Sequence, residues 1–194
     1  MKTFFLLYVV LSFSLLAKDR DSLSRSFSST RDRFSVRYPE KWRLISKGGE
    51  EFGIFNFPAR KAQRAVVLPP GGAYIAIIVP TKFMSLGDSE PQTLGEWVKL
   101  GTRYTEVVRS RRELECVIDG SPRRVVEVVT QCCKIAPFFE AVEWYFSVDK
   151  RFFVATAQYW QGDPNAAKLR QLMQEIVQTM KVFPITSGEG AKKK

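Results

Sequence analysis

The sequence predicts an α+β domain: a central antiparallel sheet covered by an internal helix and a long C-terminal helix, in an α-β-α sandwich. Three observations predict it. Alternating apolar and polar residues recur from Phe34 to Tyr159, with two tight hairpins near the end of that span. Thr93-Leu94-Gly95-Glu96 has the spacing of a capping box, which opens a helix. Leu169, Leu172, Met173, Ile176, Val177 and Met180 repeat at helical spacing. The chain has 194 residues, 45% hydrophobic and 26% charged, which suffices for one core without metals or disulfide staples.

The elements follow in order. Phe34, Val36 and Tyr38 alternate with polar residues as a half-buried strand, and Pro39-Glu40-Lys41 turns the chain before Trp42, Leu44 and Ile45. Lys47 to Glu50 is a second turn, and Phe52 to Phe57 a second strand. Residues 58–72 hold three prolines and two glycines and read as a loop. Ala73 to Val79 is apolar throughout, as in a strand covered on both faces. The capped helix carries Leu94, Trp97, Val98 and Gly101 on one face and is expected to end about Tyr104. Glu113–Ile118 and Val125–Gln131 form a hairpin about Asp119-Gly120-Ser121-Pro122, with Leu114, Cys116 and Ile118 on one face. A second hairpin sets Val142, Trp144, Phe146 and Val148 before a turn at Asp149-Lys150, and Phe153, Ala155, Ala157 and Tyr159 after it. Asp163 caps the final helix and Pro164 takes its first position.

Residues 1–17 have Lys2 before an apolar run from Phe4 to about Leu16, the pattern of a signal peptide and too short for a comfortable membrane span. Ala17 suits a cleavage site and Leu15 does not, which leaves an uncleaved tether open. The expected organisation is a signal peptide over 1–17, a flexible linker over 18–31, the α+β domain over 32–184 and a disordered basic tail over 185–194. The protein is then exported, periplasmic or extracellular.

The net charge is +10, and there is no histidine. That absence excludes histidine zinc sites, Ser-His-Asp and Cys-His catalysis and any imidazole switch. Cys116, Cys132 and Cys133 are an odd set, too few for a metal. They fit small apolar packing on strands, with a bridge from Cys116 to one of the others left open. Glu140 and Glu143 point to opposite faces of one strand, so local geometry does not make them a glycosidase pair. No phosphate loop, GxSxG elbow or EF-hand spacing is present, and no cofactor or metal is implied.

The segment FSVRYPEKW (Phe34 to Trp42) resembles the opening signature of the PsbP family, the extrinsic lumenal proteins of photosystem II and their bacterial relatives. The stretch AYIAIIVPTKFMSLGD, the hairpin VEWYFSVDKRFFVATAQYW and the closing helix resemble the rest of that family, over about residues 32–184. Mog-type Ran-binding proteins share this fold. The resemblance implies an α-β-α sandwich that binds and assembles rather than catalyses, and it supplies no common ligand. Tyr38, Trp42 and Trp144 have a plainer role as core.

Basic residues gather at Arg103, Arg109, Arg111, Arg112, Arg123 and Arg124. They read as a patch for an anionic lipid head group, polysaccharide or protein, or as a solvated surface paired with Glu106, Glu113 and Glu115. The expected function is a non-catalytic exported binding or assembly module meeting a protein or envelope partner, with no nucleic acid. The alternatives are an anionic membrane-surface protein and a carboxylate-dependent hydrolase.

Overall fold

The computed structural model describes residues 23–45, 52–57, 68–80, 84, 88–103, 105, 107–132 and 139–184. Ten strands and two helices are described: β1 Arg25–Ser29, β2 Phe34–Tyr38, β3 Arg43–Ile45, β4 Phe52–Phe55, β5 Ala73–Ile78, α1 Leu94–Gly101, β6 Val107–Ile118, β7 Ser121–Cys132, β8 Phe139–Val148, β9 Arg151–Trp160, α2 Ala166–Gln178 and β10 Lys181–Val182. The α+β class is therefore met, and every strand pair is antiparallel.

The strands form two sheets rather than the one expected. A seven-stranded sheet runs β3-β4-β5-β9-β8-β7-β6, and a smaller one runs β1-β2-β10. Part of the expected linker is thus structured, because Arg25–Ser29 is β1. Phe27 faces inward there and packs on Phe34 and Phe52 at 6.0 and 5.5 Å between ring centroids. The expected signal peptide, the basic tail and Cys133 lie outside the described residues.

Alternation along β8 and β9 sets the two faces. Val142, Trp144, Phe146, Phe153, Ala155 and Ala157 join one core with the inner residues of β1 and β2 and with Leu169, Met173, Ile176 and Val177 of α2. Tyr145 and Val154 point the other way, into a smaller core with Trp97, Val98 and Leu100 of α1. The larger core therefore lies under α2 and the small sheet together. Trp97 is fully buried and its Nε1 donates to Phe153 O at 2.7 Å, which anchors α1 to β9. Tyr38, Trp42 and Trp144 are all core.

Helix ends differ from expectation in instructive ways. α1 opens with half of the expected box: Glu96 N donates to Thr93 Oγ1 at 3.2 Å, while Glu96 Oε2 accepts from Gln92 N at 2.7 Å, one residue before the cap. It stops at Gly101, where the backbone tightens into three-residue turns, Arg103 N donating to Leu100 O at 3.3 Å and Thr105 N to Thr102 O at 3.0 Å, and Thr102 Oγ1 donates to Val98 O at 2.7 Å. α2 has 13 residues and begins after Asn165. Asp163 accepts from Asn165 N at 2.7 Å, so the aspartate and Pro164 shape the approach to the helix rather than its first turn. At the far end Thr179 Oγ1 donates to Ile176 O and accepts from Arg37 N at 2.8 Å, tying α2 to β2.

Candidate functional site

β6 is the outer strand of the large sheet and starts at Val107, six residues before the hairpin expected from the pattern. Val108 to Glu113 are exposed, so the strand carries no apolar alternation there. A register shift between Val108 and Ser110 leaves Arg109 as the extra residue of a bulge. β7 pairs β6 down to Ile118↔Ser121, closing on Asp119-Gly120, both at positive φ.

The six basic residues are distributed over this hairpin and the end of α1. The register puts Arg111 opposite Val128 and Arg124 opposite Glu115, on the α1 side. Arg112 and Arg123 face the α2 side, opposite Glu127 and Cys116. Several have acidic partners. Arg124 Nε donates to exposed Glu113 at 2.9 Å, and this contact holds the Glu113 carboxyl below its ordinary range. Arg103 pairs with Asp88 at 3.0 Å, away from the hairpin, and Arg123 with Asp149 at 3.7 Å. Arg109 donates to Gln131. The hairpin thus displays cations on both faces and at its outer edge, and Arg103 stands apart from it.

One polar cluster was not singled out from the sequence. Glu127, 2% exposed, accepts from Arg112 Nε at 2.8 Å and from Trp144 Nε1 at 2.9 Å, with Arg170 of α2 at 3.8 Å. Burial pushes its carboxyl up, but the Arg112 and Trp144 hydrogen bonds and the two arginine charges outweigh that and hold it low. The signal was legible: a lone acid inside VVEVVT, on the inward side of a strand, demands partners.

The other acids are separated as the odd spacing requires. Glu140 accepts from Tyr159 at 2.8 Å, and burial and that carboxylate raise the phenol. Glu143 accepts from Tyr145 at 2.9 Å on the α1 side. Burial pushes Glu143 up to about 7, against the opposing Tyr145 hydrogen bond. Cys116 is a buried free thiol, raised by burial, so the bridge left open by the sequence is not formed. No cluster of metal-ligating side chains occurs among the described residues.

Two concave regions matter. A cleft of about 450 Å³ lies beside α2, lined by Trp42, Lys41, Lys168 and Glu175 among others. Its Asn56 is committed to backbone, accepting from Ala73 N and donating to Gly71 O. A larger groove of about 970 Å³ lies between the β1–β2 turn, the β8–β9 turn and the entry to α1.

No family model matches the chain, and no curated protein matches it. Solved structures do. A crystal structure from Bacteroides thetaiotaomicron is 13% identical with a TM-score of 0.51, covering 84% of this chain and 50% of that one. The Saccharomyces cerevisiae Ran-binding protein Mog1p is 12% identical with a TM-score of 0.48, over 83% of this chain and 96% of that one. Cyanobacterial PsbP of Synechocystis is 12% identical with a TM-score of 0.38, over 86% and 96%. The two groups that the sequence resembles are thus both among the similar structures. The likeness is one of fold, and the chain spans half the length of the Bacteroides protein.

Proposed function

We propose that the protein is a non-catalytic exported module that binds a protein or envelope partner through the outer strand β6. The observation that carries this is the β6–β7 hairpin itself. It presents a 12-residue outer strand whose exposed stretch holds Val108, Arg109, Arg111 and Arg112. Main-chain groups on the outer side of such a strand are available to a partner, and the arginines favour an acidic one. Three of the inward-lying acids have local structural partners: Glu127 with two arginines and a tryptophan, Glu140 and Glu143 each with a tyrosine on opposite faces.

Export rests on the N-terminal sequence, with its lysine and apolar run. No helix among the described residues is long and apolar enough to cross a membrane. The test is retention of native envelope proteins by the immobilised chain. At least one specific partner is expected; an empty column together with turnover of a substrate would refute the proposal.

A further inference from the structure

We infer that the end of the molecule where three turns meet is a docking surface for an anionic lipid bilayer. This goes beyond the binding role proposed above and uses the turn end of the molecule, including the last residues of β6, rather than the exposed Val108–Arg112 stretch of that strand.

Side chains and backbone tie the turns together. Arg151, just after the β8–β9 turn, donates to Arg33 O at 3.3 Å, to Asp32 O in the β1–β2 turn and to Phe183 O at 3.1 Å beyond β10. Asp119 of the β6–β7 turn pairs with Lys181 of β10 at 3.7 Å, and Asp149 pairs with Arg123 at 3.7 Å. Four separate segments therefore form one end. Asp119 and Asp149 each face a cation, and Arg31 and Lys150 are solvent-exposed at its rim.

The groove of about 970 Å³ has the cations Arg31, Arg33, Lys150 and Arg151 on its walls against the acids Asp32, Glu90 and Asp149, with partly buried Val79, Pro80 and Phe152 among its lining. A second hollow of about 500 Å³ shares Arg31 and Arg33 and is flanked by Phe183. Phe183 is 40% exposed, and Val117, two residues before the β6–β7 turn, is 48% exposed. Arg33, Asp149 and Lys150 have φ of 50°, 48° and 64°, left-handed values that fix how the chain turns at this rim.

Single apolar side chains spaced among cations suit a laterally adaptable anionic surface. Head groups meet the cations, and Phe183 and Val117 reach the acyl boundary. A rigid protein partner favours a contiguous apolar centre with charge at its rim.

The test is flotation of the full chain with vesicles of phosphatidylcholine, with and without phosphatidylglycerol, at low and high salt. Binding is expected on the anionic vesicles only, and weaker in high salt. Reversing two rim charges in Arg31→Glu/Lys150→Glu should lower partitioning at least roughly tenfold, since each cation near such a surface is worth about fivefold. Phe183→Ser should weaken it severalfold at either salt, and serves if the double variant does not melt like the wild type. Arg25→Glu/Arg43→Glu, exposed arginines away from these turns, should bind as the wild type does. Equal binding to neutral vesicles overturns the inference. So does full binding by a folded double variant, or capture by immobilised polyglutamate with none by vesicles.

Discussion

Two buried glutamates act in opposite senses with pH. Glu143 is raised to about 7 from 4.5, so its folded form holds a proton that the unfolded chain releases earlier. Its contribution to stability is full below about pH 4.5 and is lost as pH rises through about 7. Glu143→Gln should therefore raise stability at pH 8 by on the order of 2 kcal/mol and leave it nearly unchanged at pH 4. Chemical denaturation at the two pH values checks this, and an equal effect at both would contradict it. Glu127 is lowered, so its contribution is present above about pH 4.5 and fades as pH falls through its folded value. Glu127→Ala leaves the buried Trp144 Nε1 without its acceptor, while the exposed guanidinium groups of Arg112 and Arg170 turn to water. It should cost about 1–3 kcal/mol at pH 7, read from the denaturation midpoint. These residues were unevenly legible. The opposite facing of Glu140 and Glu143 follows from strand period alone. The Glu127 cluster requires Arg170, which reaches it from a helix 43 positions along the chain, and no local pattern reports that.

At the scale of elements, α1 is the sensitive joint. Gly101 lies against the Tyr145 ring so closely that a Cβ would collide with it. Gly101→Ala should destabilise the protein by about 1–3 kcal/mol despite the better helix propensity of alanine, because either Tyr145 or the helix end must shift. Thr93→Ala removes the acceptor for Glu96 N and should cost about 1 kcal/mol. Thermal unfolding orders the two, and a neutral Gly101→Ala would show that the helix end yields freely. The capping box and the repeat of α2 were legible because each is local. β1 was not: RSFSS has one apolar residue, and its partner Val36 lies nine positions away across a turn. The first half of β6 was hidden for another reason. An outer strand wetted on both faces has no core side to mark, so the pattern places the start of the strand only at Glu113.

At the scale of the whole molecule, α2 and the small sheet pack on one face of the large antiparallel sheet and α1 on the other. The long edge is β6, twelve residues against the three of β3 at the opposite edge. On the proposed reading, an added strand or an acidic partner would meet the arginines along this edge, beside the bulge at Arg109. The fold class, both hairpins and the core aromatics could be anticipated from alternation. The division into two sheets could not, because β2 pairs with a strand that reads as polar linker and with a two-residue strand after the last helix. Binding through β6 is tested most directly by comparing the envelope proteins retained by the wild-type chain and by Arg109→Glu/Arg111→Glu, two exposed changes on that strand. At least one protein should be retained by the wild type and lost by the variant, with both melting alike; the same set retained by both would contradict it.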